Sequence, residues 1–324
     1  MSLLDNFRFF ELSVLSFIQQ TLEPFGTLFI TGCHVGDPRY PYVYFSIFLS
    51  TVGEHIAVKL LWAVIVSEWL NTLFKWILND HRPYWWVNEY FSRENITLKQ
   101  FDVTCETGPG NPSGHMMVTA CVWFVVYKEL TKKNVLNTVA HKTIALAVIS
   151  FWLIVIAFGR MYISAHFPDQ CLLGLIAGLS VGVLINRFVH LIDLKIQHHF
   201  LFSAFIISSL FITYSLLNAF SSVDANWSLK LASKWCVDIN YVKPDTTPFF
   251  VLWRTSGAII GTGIAFVFVH RRLRRTSTKI GKVYAVCFVQ YMLVPINVKL
   301  LANEQGKAAK MIAHSNYTPY LLFK

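Results

Sequence analysis

Apolar runs long enough to cross a bilayer recur along the chain, separated by short polar stretches. Spanning roughly 30 Å of hydrocarbon takes about 20 helical residues, and seven runs suit that length: Ala57 to Leu78, Met116 to Tyr127 with its flanks, Thr143 to Phe158, Cys171 to Val189, Phe200 to Leu217, Phe249 to Val269 and Val283 to Leu301. A shorter eighth, Tyr42 to Val52, follows Pro38 and Pro41. The first 20 residues place Asp5, Arg8 and Glu11 among apolar positions, which predicts an amphipathic helix and no cleavable signal peptide. The expected fold class is therefore all-α: one polytopic transmembrane domain over residues 1–324, with about 8 to 9 spans and a divergent polar tail at 302–324.

Composition strengthens this reading. Of 324 residues 54% are hydrophobic and only 14% charged, whereas soluble domains are about a quarter charged. Basic loops stay cytoplasmic. Lys128, Lys132, Lys133 and Lys142 mark one such loop, and Arg271, Arg272, Arg274, Arg275, Lys279 and Lys282 another. Alternating from these puts segments 79–115, 159–170 and 219–248 on the opposite, lumenal side. The sequons Asn95-Ile96-Thr97 and Asn226-Trp227-Ser228 fall on that side and make Asn95 and Asn226 candidate glycosylation sites. The net charge of +10 is then a matter of topology, and no nucleic-acid partner is implied. Six scattered cysteines form no C-x-x-C pair, which excludes the usual zinc spacings. Cys105 and Cys236 share the lumenal side, where a disulfide is chemically permitted.

Three polar clusters interrupt the apolar background: Lys75 with Arg82-Pro83, Pro112-Ser113-Gly114-His115, and Arg160 with His166. Lys75 and Arg82 are seven residues apart, close to two turns, which predicts one shared helix face ending at Pro83. Ser113 and Gly114 open the next helix, and a helix start offers unpaired N–H groups to an anion. Arg160 and His166 need a chain break between them, with Gly159 ending one helix and Pro168 opening the next. Singly, the cations read as side chains snorkelling to head groups and the histidines as interfacial residues. All three on one membrane face read as a phosphate site, because charge at this depth is costly unless paired or functional. Lys75, Arg82, Arg160, Ser113 and Gly114 would bind phosphate, while His166 attacks and His115 serves as acid; the spacing alone leaves the two histidines exchangeable. No carboxylate cluster suits two metals, so a route with no metal and no cofactor is expected. Asp169 or Gln170 would orient His166.

These residues resemble the type 2 phosphatidic acid phosphatase superfamily, whose pattern is K-x6-RP, PSGH and SR-x5-H-x3-D. Within it the chain is similar to glucose-6-phosphatase catalytic subunits, through Phe74-Lys75-Trp76-Ile77-Leu78, Arg82-Pro83-Tyr84-Trp85-Trp86, Cys105-Glu106-Thr107-Gly108-Pro109-Gly110, Ala165-His166-Phe167-Pro168 and Lys234-Trp235-Cys236. The likeness runs from about residue 40 to 270. It implies a glycoprotein of the endoplasmic-reticulum membrane that hydrolyses glucose 6-phosphate at a lumenal site, serving gluconeogenesis, with a glucose 6-phosphate translocase and membrane lipid as partners. It also implies His166 as nucleophile, through a phosphohistidine, and His115 as acid. Three departures stand out: Gly159 replaces the family serine before Arg160, Gln170 replaces the superfamily aspartate with Asp169 one position early, and the tail carries no dilysine signal. Two other readings follow from the same residues. A lipid phosphate phosphatase would share the chemistry, and a weakly active or degenerate paralogue would keep the cations without full turnover.

Overall fold

A computed structural model of the chain describes residues 3–38, 54–90, 97–188, 195–220 and 226–272, and these form helices joined by turns. The helices are α1 (Leu3–Thr21), α2 (Gly26–Val35), α3 (Glu54–Leu78), α4 (Pro83–Tyr90), α5 (Gly114–Lys132), α6 (Val139–Tyr162), α7 (Pro168–Phe188), α8 (Ile196–Phe220), α9 (Trp227–Trp235) and α10 (Pro248–Arg272). No strand occurs among the described residues. Four helical segments are long and apolar enough to cross a membrane: Val58–Tyr90, Val139–Tyr162, Pro168–Arg187 and Gln197–Ala219. Among the described residues, then, four of the expected spans reach this measure, and the expected count of 8 to 9 is not confirmed. α5, whose apolar run is diluted by Lys128, Glu129 and Lys132, forms a helix but does not reach that measure. The expected spans at 42–52 and 283–301, the sequon asparagine Asn95 and the tail 302–324 lie outside the described residues.

Two apolar cores flank the site. One gathers Leu12, Leu15 and Ile18 of α1, Phe29 and Cys33 of α2, Tyr84 to Val87 of α4, and Val155 and Ile156 of α6. The other joins α3, α5, α7, α8 and α10 through residues such as Trp62, Met117, Val181, Ile206 and Ile259. α6 turns Ile144, Leu146, Val148, Phe151 and Ile154 outward, a continuous apolar face of the kind that meets lipid. α1 is the expected amphipathic helix. Its buried stripe carries Arg8 and Glu11 beside Leu12 and Leu15, while Phe7, Phe10 and Phe17 point outward. α2, absent from the sequence reading, packs against α6.

Gly174, Gly178 and Gly182 lie one turn apart on α7 and let α5 approach closely. A Cβ on Gly174 would stand 2.6 Å from the Ser113 carbonyl oxygen, and one on Gly178 would collide with that of Met117. Small residues at this period are the usual device for backbone contact between membrane helices. The consequence is functional, because the contact sets the start of α5 against the start of α7.

Two expected helix ends move. α3 stops at Leu78: Asn79 adopts a left-handed φ of 47° and its N–H donates to the Lys75 carbonyl (3.0 Å). Arg82 therefore lies in the turn 79–82 and does not share a helix face with Lys75, and Pro83, instead of ending α3, opens α4. α6 likewise runs past Gly159 to Tyr162, and the break comes at Ser164 (φ 56°). Gly159 serves packing: a Cβ there would stand 2.9 Å from Cys33 Sγ and from the Phe29 carbonyl oxygen of α2.

Candidate active site

The turns 79–82, 97–113 and 163–167 converge, and the three sequence clusters meet in space. Arg82 is fully buried and holds the turns together: Nε donates to the Gly108 carbonyl (2.7 Å), Nη2 to that of Pro109 (3.2 Å) and Nη1 to that of Ala165 (3.1 Å). Its Nη1 also stands 3.1 Å from His166 Nε2. A guanidinium can only donate, so Nε2 accepts and its lone pair faces the arginine.

The other ring nitrogen, Nδ1, lies 3.2 Å from Gln170 Oε1. The amide's orientation is determined by its other end, since Gln170 Nε2 donates to Asp80 Oδ2 (3.0 Å) and to the His81 carbonyl (2.7 Å), both acceptors. Oε1 must then accept, and His166 carries its proton on Nδ1. Gly110 permits this closeness: a Cβ there would stand 2.7 Å from Gln170 Nε2. Of the two expected orienting residues, Gln170 thus meets the ring and Asp169 does not; the Oδ1 of Asp169 accepts from Arg8 Nη1 at 2.9 Å. Behind Gln170, Arg8 also pairs with Asp80 (2.6 Å) and Glu11 (2.6 Å). Burial, and then the Asp169 charge, raise the Glu11 carboxyl to about 7 against the pull of Arg8.

Glu106 was quoted in the sequence only as part of a matching stretch, yet it is the centre of the site. Its carboxylate pairs with Arg160 Nη2 (2.5 Å) and Arg82 Nη1 (2.9 Å) and lies 3.7 Å from His115 Nδ1 and 3.8 Å from His166 Nε2. Burial would raise its pKa, but Arg160 and then Arg82 hold it well below the ordinary 4.5. For His166, burial and then the Arg82 charge act together and hold the ring well below 6.5, hence neutral. A lone carboxylate in a loop has no periodicity to read, which is why sequence reasoning passed over it.

Ser113 caps α5 in an extended conformation without using its hydroxyl as a cap, and its N–H donates to the Gln170 carbonyl (3.0 Å). A cavity of about 120 Å³ is lined by Lys75, Glu106, Gly114, His115 and Arg160 among others. Arg82 and His166 are not part of that lining and show no exposed surface, so Glu106 stands between the cavity and the His166 ring.

The loop bearing Glu106 is held from the far end of the chain. Lys243 N donates to the Cys105 carbonyl (2.9 Å), Thr107 N to Thr246 Oγ1 (2.8 Å) and Thr107 Oγ1 to the Lys243 carbonyl (2.9 Å). Cys105 and Cys236 form a disulfide. Asn226, the second sequon asparagine, is exposed at the start of α9. Among the described residues no group of histidine, cysteine and carboxylate side chains has metal-binding geometry.

Residues 56–193 match the family model described as PAP2 superfamily. The chain is 33% identical to human "Glucose-6-phosphatase 2", over 85% of this chain and 79% of that protein. It is 37% identical to "Glucose-6-phosphatase catalytic subunit 1" of Felis catus, over 69% and 65%, and 33% identical to its namesake in Rattus norvegicus, over 77% and 72%. No solved structure matches the chain.

Proposed function

As a member of the glucose-6-phosphatase family within the PAP2 superfamily the chain is a phosphoric monoester hydrolase, and we propose that it hydrolyses glucose 6-phosphate to glucose and phosphate through a phosphohistidine on His166. One observation carries the reading: a neutral imidazole whose Nε2 lone pair faces Arg82 while Gln170 occupies its Nδ1. That is the tautomer a nucleophile needs.

In the first half-reaction His166 Nε2 attacks phosphorus, the P–O6 bond breaks, and His115 gives its proton to the departing sugar oxygen. Water then attacks phosphorus, His115 takes the water proton, and the N–P bond breaks to release phosphate. Lys75, Arg82, Arg160 and the Ser113-Gly114 turn hold the phosphoryl oxygens, since phosphoryl transfer rests mainly on positioning and charge. Three cations and Glu106 leave a formal charge of +2, the complement of a phosphate dianion. We read Glu106 as the counter-ion of Arg82 and Arg160, displaced from them when substrate enters. Each of these steps is one of the chain's own residues, and none calls on a metal.

The compartment belongs to the same proposal. The Cys105–Cys236 disulfide, the exposed Asn226 sequon and the basic loops support a lumenal site in the endoplasmic-reticulum membrane, where a glucose 6-phosphate translocase would deliver substrate. The test is phosphate release from glucose 6-phosphate by detergent-permeabilised membranes, beside His166→Ala and with phosphatidate in competition. Hydrolysis lost in the variant is expected. Trapped phosphoenzyme in His166→Ala overturns the nucleophile, and hydrolysis of phosphatidate alone moves the enzyme to lipid substrates.

A further inference from the structure

One buried ion pair borders the cavity without taking part in the phosphate chemistry. Glu68 of α3 accepts a hydrogen bond from Arg254 Nη2 of α10, with Arg254 Nε 3.4 Å from Glu68 Oε2. Both residues are buried, at 3% and 7% exposure, and both line the cavity. A charge pair at this depth is a poor way to hold two helices together, because desolvation offsets most of the attraction. Within a membrane-spanning helix such a pair marks a functional site by default. The other buried pair on α3, Lys59 with Glu129, lies outside the cavity lining and is satisfied by Lys132 and Asn186 as well, as a helix-end bridge would be.

The position of Glu68 on α3 says what it would meet. Glu68, Asn71 and Lys75 stand at i, i+3 and i+7 on one helix face, and all three line the cavity. At a rise of 1.5 Å per residue, Glu68 lies about 10 Å along the axis from the phosphate-binding Lys75. Asn71 between them is engaged with the α5 turn, its Nδ2 donating to the Pro112 carbonyl (3.1 Å). Because Lys75, Asn71, Glu68 and Arg254 line one cavity, the ester group of a phosphate held at the Lys75 end would meet Glu68 and Arg254 if it extended along this face. A carboxylate has about four lone-pair sites and a guanidinium five N–H donors. The pair offers acceptors and donors side by side, which vicinal hydroxyls require and a hydrocarbon chain does not.

Resting on the glucose 6-phosphate reading, we propose that Glu68 and Arg254 bind the ring hydroxyls of the sugar and determine the preference for hexose phosphates. The test compares glucose 6-phosphate with phenyl phosphate, which keeps the phosphate and lacks hydroxyls, in membranes carrying the full chain. Glu68→Gln should lower kcat/KM for glucose 6-phosphate about 10- to 100-fold, the range of a lost hydrogen bond to a charged group, while phenyl phosphate turnover and vanadate inhibition stay within about twofold.

A second variant separates recognition from helix pairing. The exchange Glu68→Arg with Arg254→Glu keeps an ion pair between α3 and α10 but reverses what faces the sugar. It should retain phenyl phosphate turnover and lose the preference for glucose 6-phosphate. Retained glucose 6-phosphate hydrolysis in the exchange, or equal losses on both substrates in Glu68→Gln, overturns the inference and makes the pair structural. A wild-type enzyme that cleaves phenyl phosphate but not glucose 6-phosphate overturns the substrate assignment first, and the inference with it.

Discussion

Replacing Gln170 by alanine removes the one side chain that holds the His166 ring from behind. Four hydrogen bonds go at once: Oε1 with His166 Nδ1 and with the Phe167 N–H (3.2 Å each), and Nε2 with Asp80 Oδ2 and the His81 carbonyl. The ring N–H is fully buried, and among the described residues Gln170 Oε1 is the one acceptor at that nitrogen. A buried donor left unpaired costs about 1–3 kcal/mol. That cost is largest when the ring gains positive character on bonding to phosphorus, so most of it raises the barrier, and about 1.4 kcal/mol is tenfold in rate. Gln170→Ala should therefore lower kcat about 10- to 100-fold. KM should change little, because no hydrogen bond from Lys75 or Arg160 reaches Gln170. Initial rates of phosphate release over a range of substrate concentrations, with vanadate inhibition as a measure of the phosphate site, separate the two. A kcat within threefold of wild type refutes the tautomer argument, as does a parallel loss of vanadate affinity.

Asp169→Asn should leave kcat within about twofold, since its carboxylate meets Arg8 and not the ring; a loss as large as that of Gln170→Ala would reinstate Asp169 as the orienting residue. Arg8→Gln strands Glu11, Asp80 and Asp169 around an empty centre and should cost about 3–5 kcal/mol, read as a fall in the temperature of half-inactivation. Gly159→Ser must push α2 away from α6 at Cys33 and Phe29 and should destabilise the fold by about 1–3 kcal/mol; unchanged thermal inactivation would show the approach to be loose. The pH dependence follows from two depressed groups. His166 stays neutral below 6.5, so the acid limb of kcat/KM falls below that value and not at it. Below 6.5 for His166, and below 4.5 for Glu106, the unfolded chain binds more protons than the folded one, so stability drops as pH falls.

The long helices were legible because hydropathy and length determine them: six of the expected runs form helices, α3, α5, α6, α7, α8 and α10, and the runs of α3, α6, α7 and α8 are also long and apolar enough to cross a membrane. The candidate phosphate-site residues were legible as types in context. What failed was local geometry. Two turns of helix between Lys75 and Arg82 fitted the periodicity, but Asn79 leaves the helix first, and no spacing rule reports a single left-handed residue. Glu106 went unread, and the choice between Asp169 and Gln170 stayed open, for another reason: the contacts that decide them cross 54 to 90 residues of chain, to Arg160 and to Asp80. Glu68 and Arg254 are 186 residues apart, and Arg254 sits in a run that reads simply as a span.

The clasp between residues 105–107 and 243–246 bears on how much chain an active enzyme needs. The superfamily match stops at residue 193, yet Lys243 and Thr246 hold the backbone around Glu106, Cys236 is bonded to its neighbour, and Arg254 faces the cavity. The catalytic unit is thus not a portable module ending with the shared helices. A protein cut after α7 would keep every motif residue and lose the wall that holds Glu106 in place, so the later helices belong to the minimal enzyme.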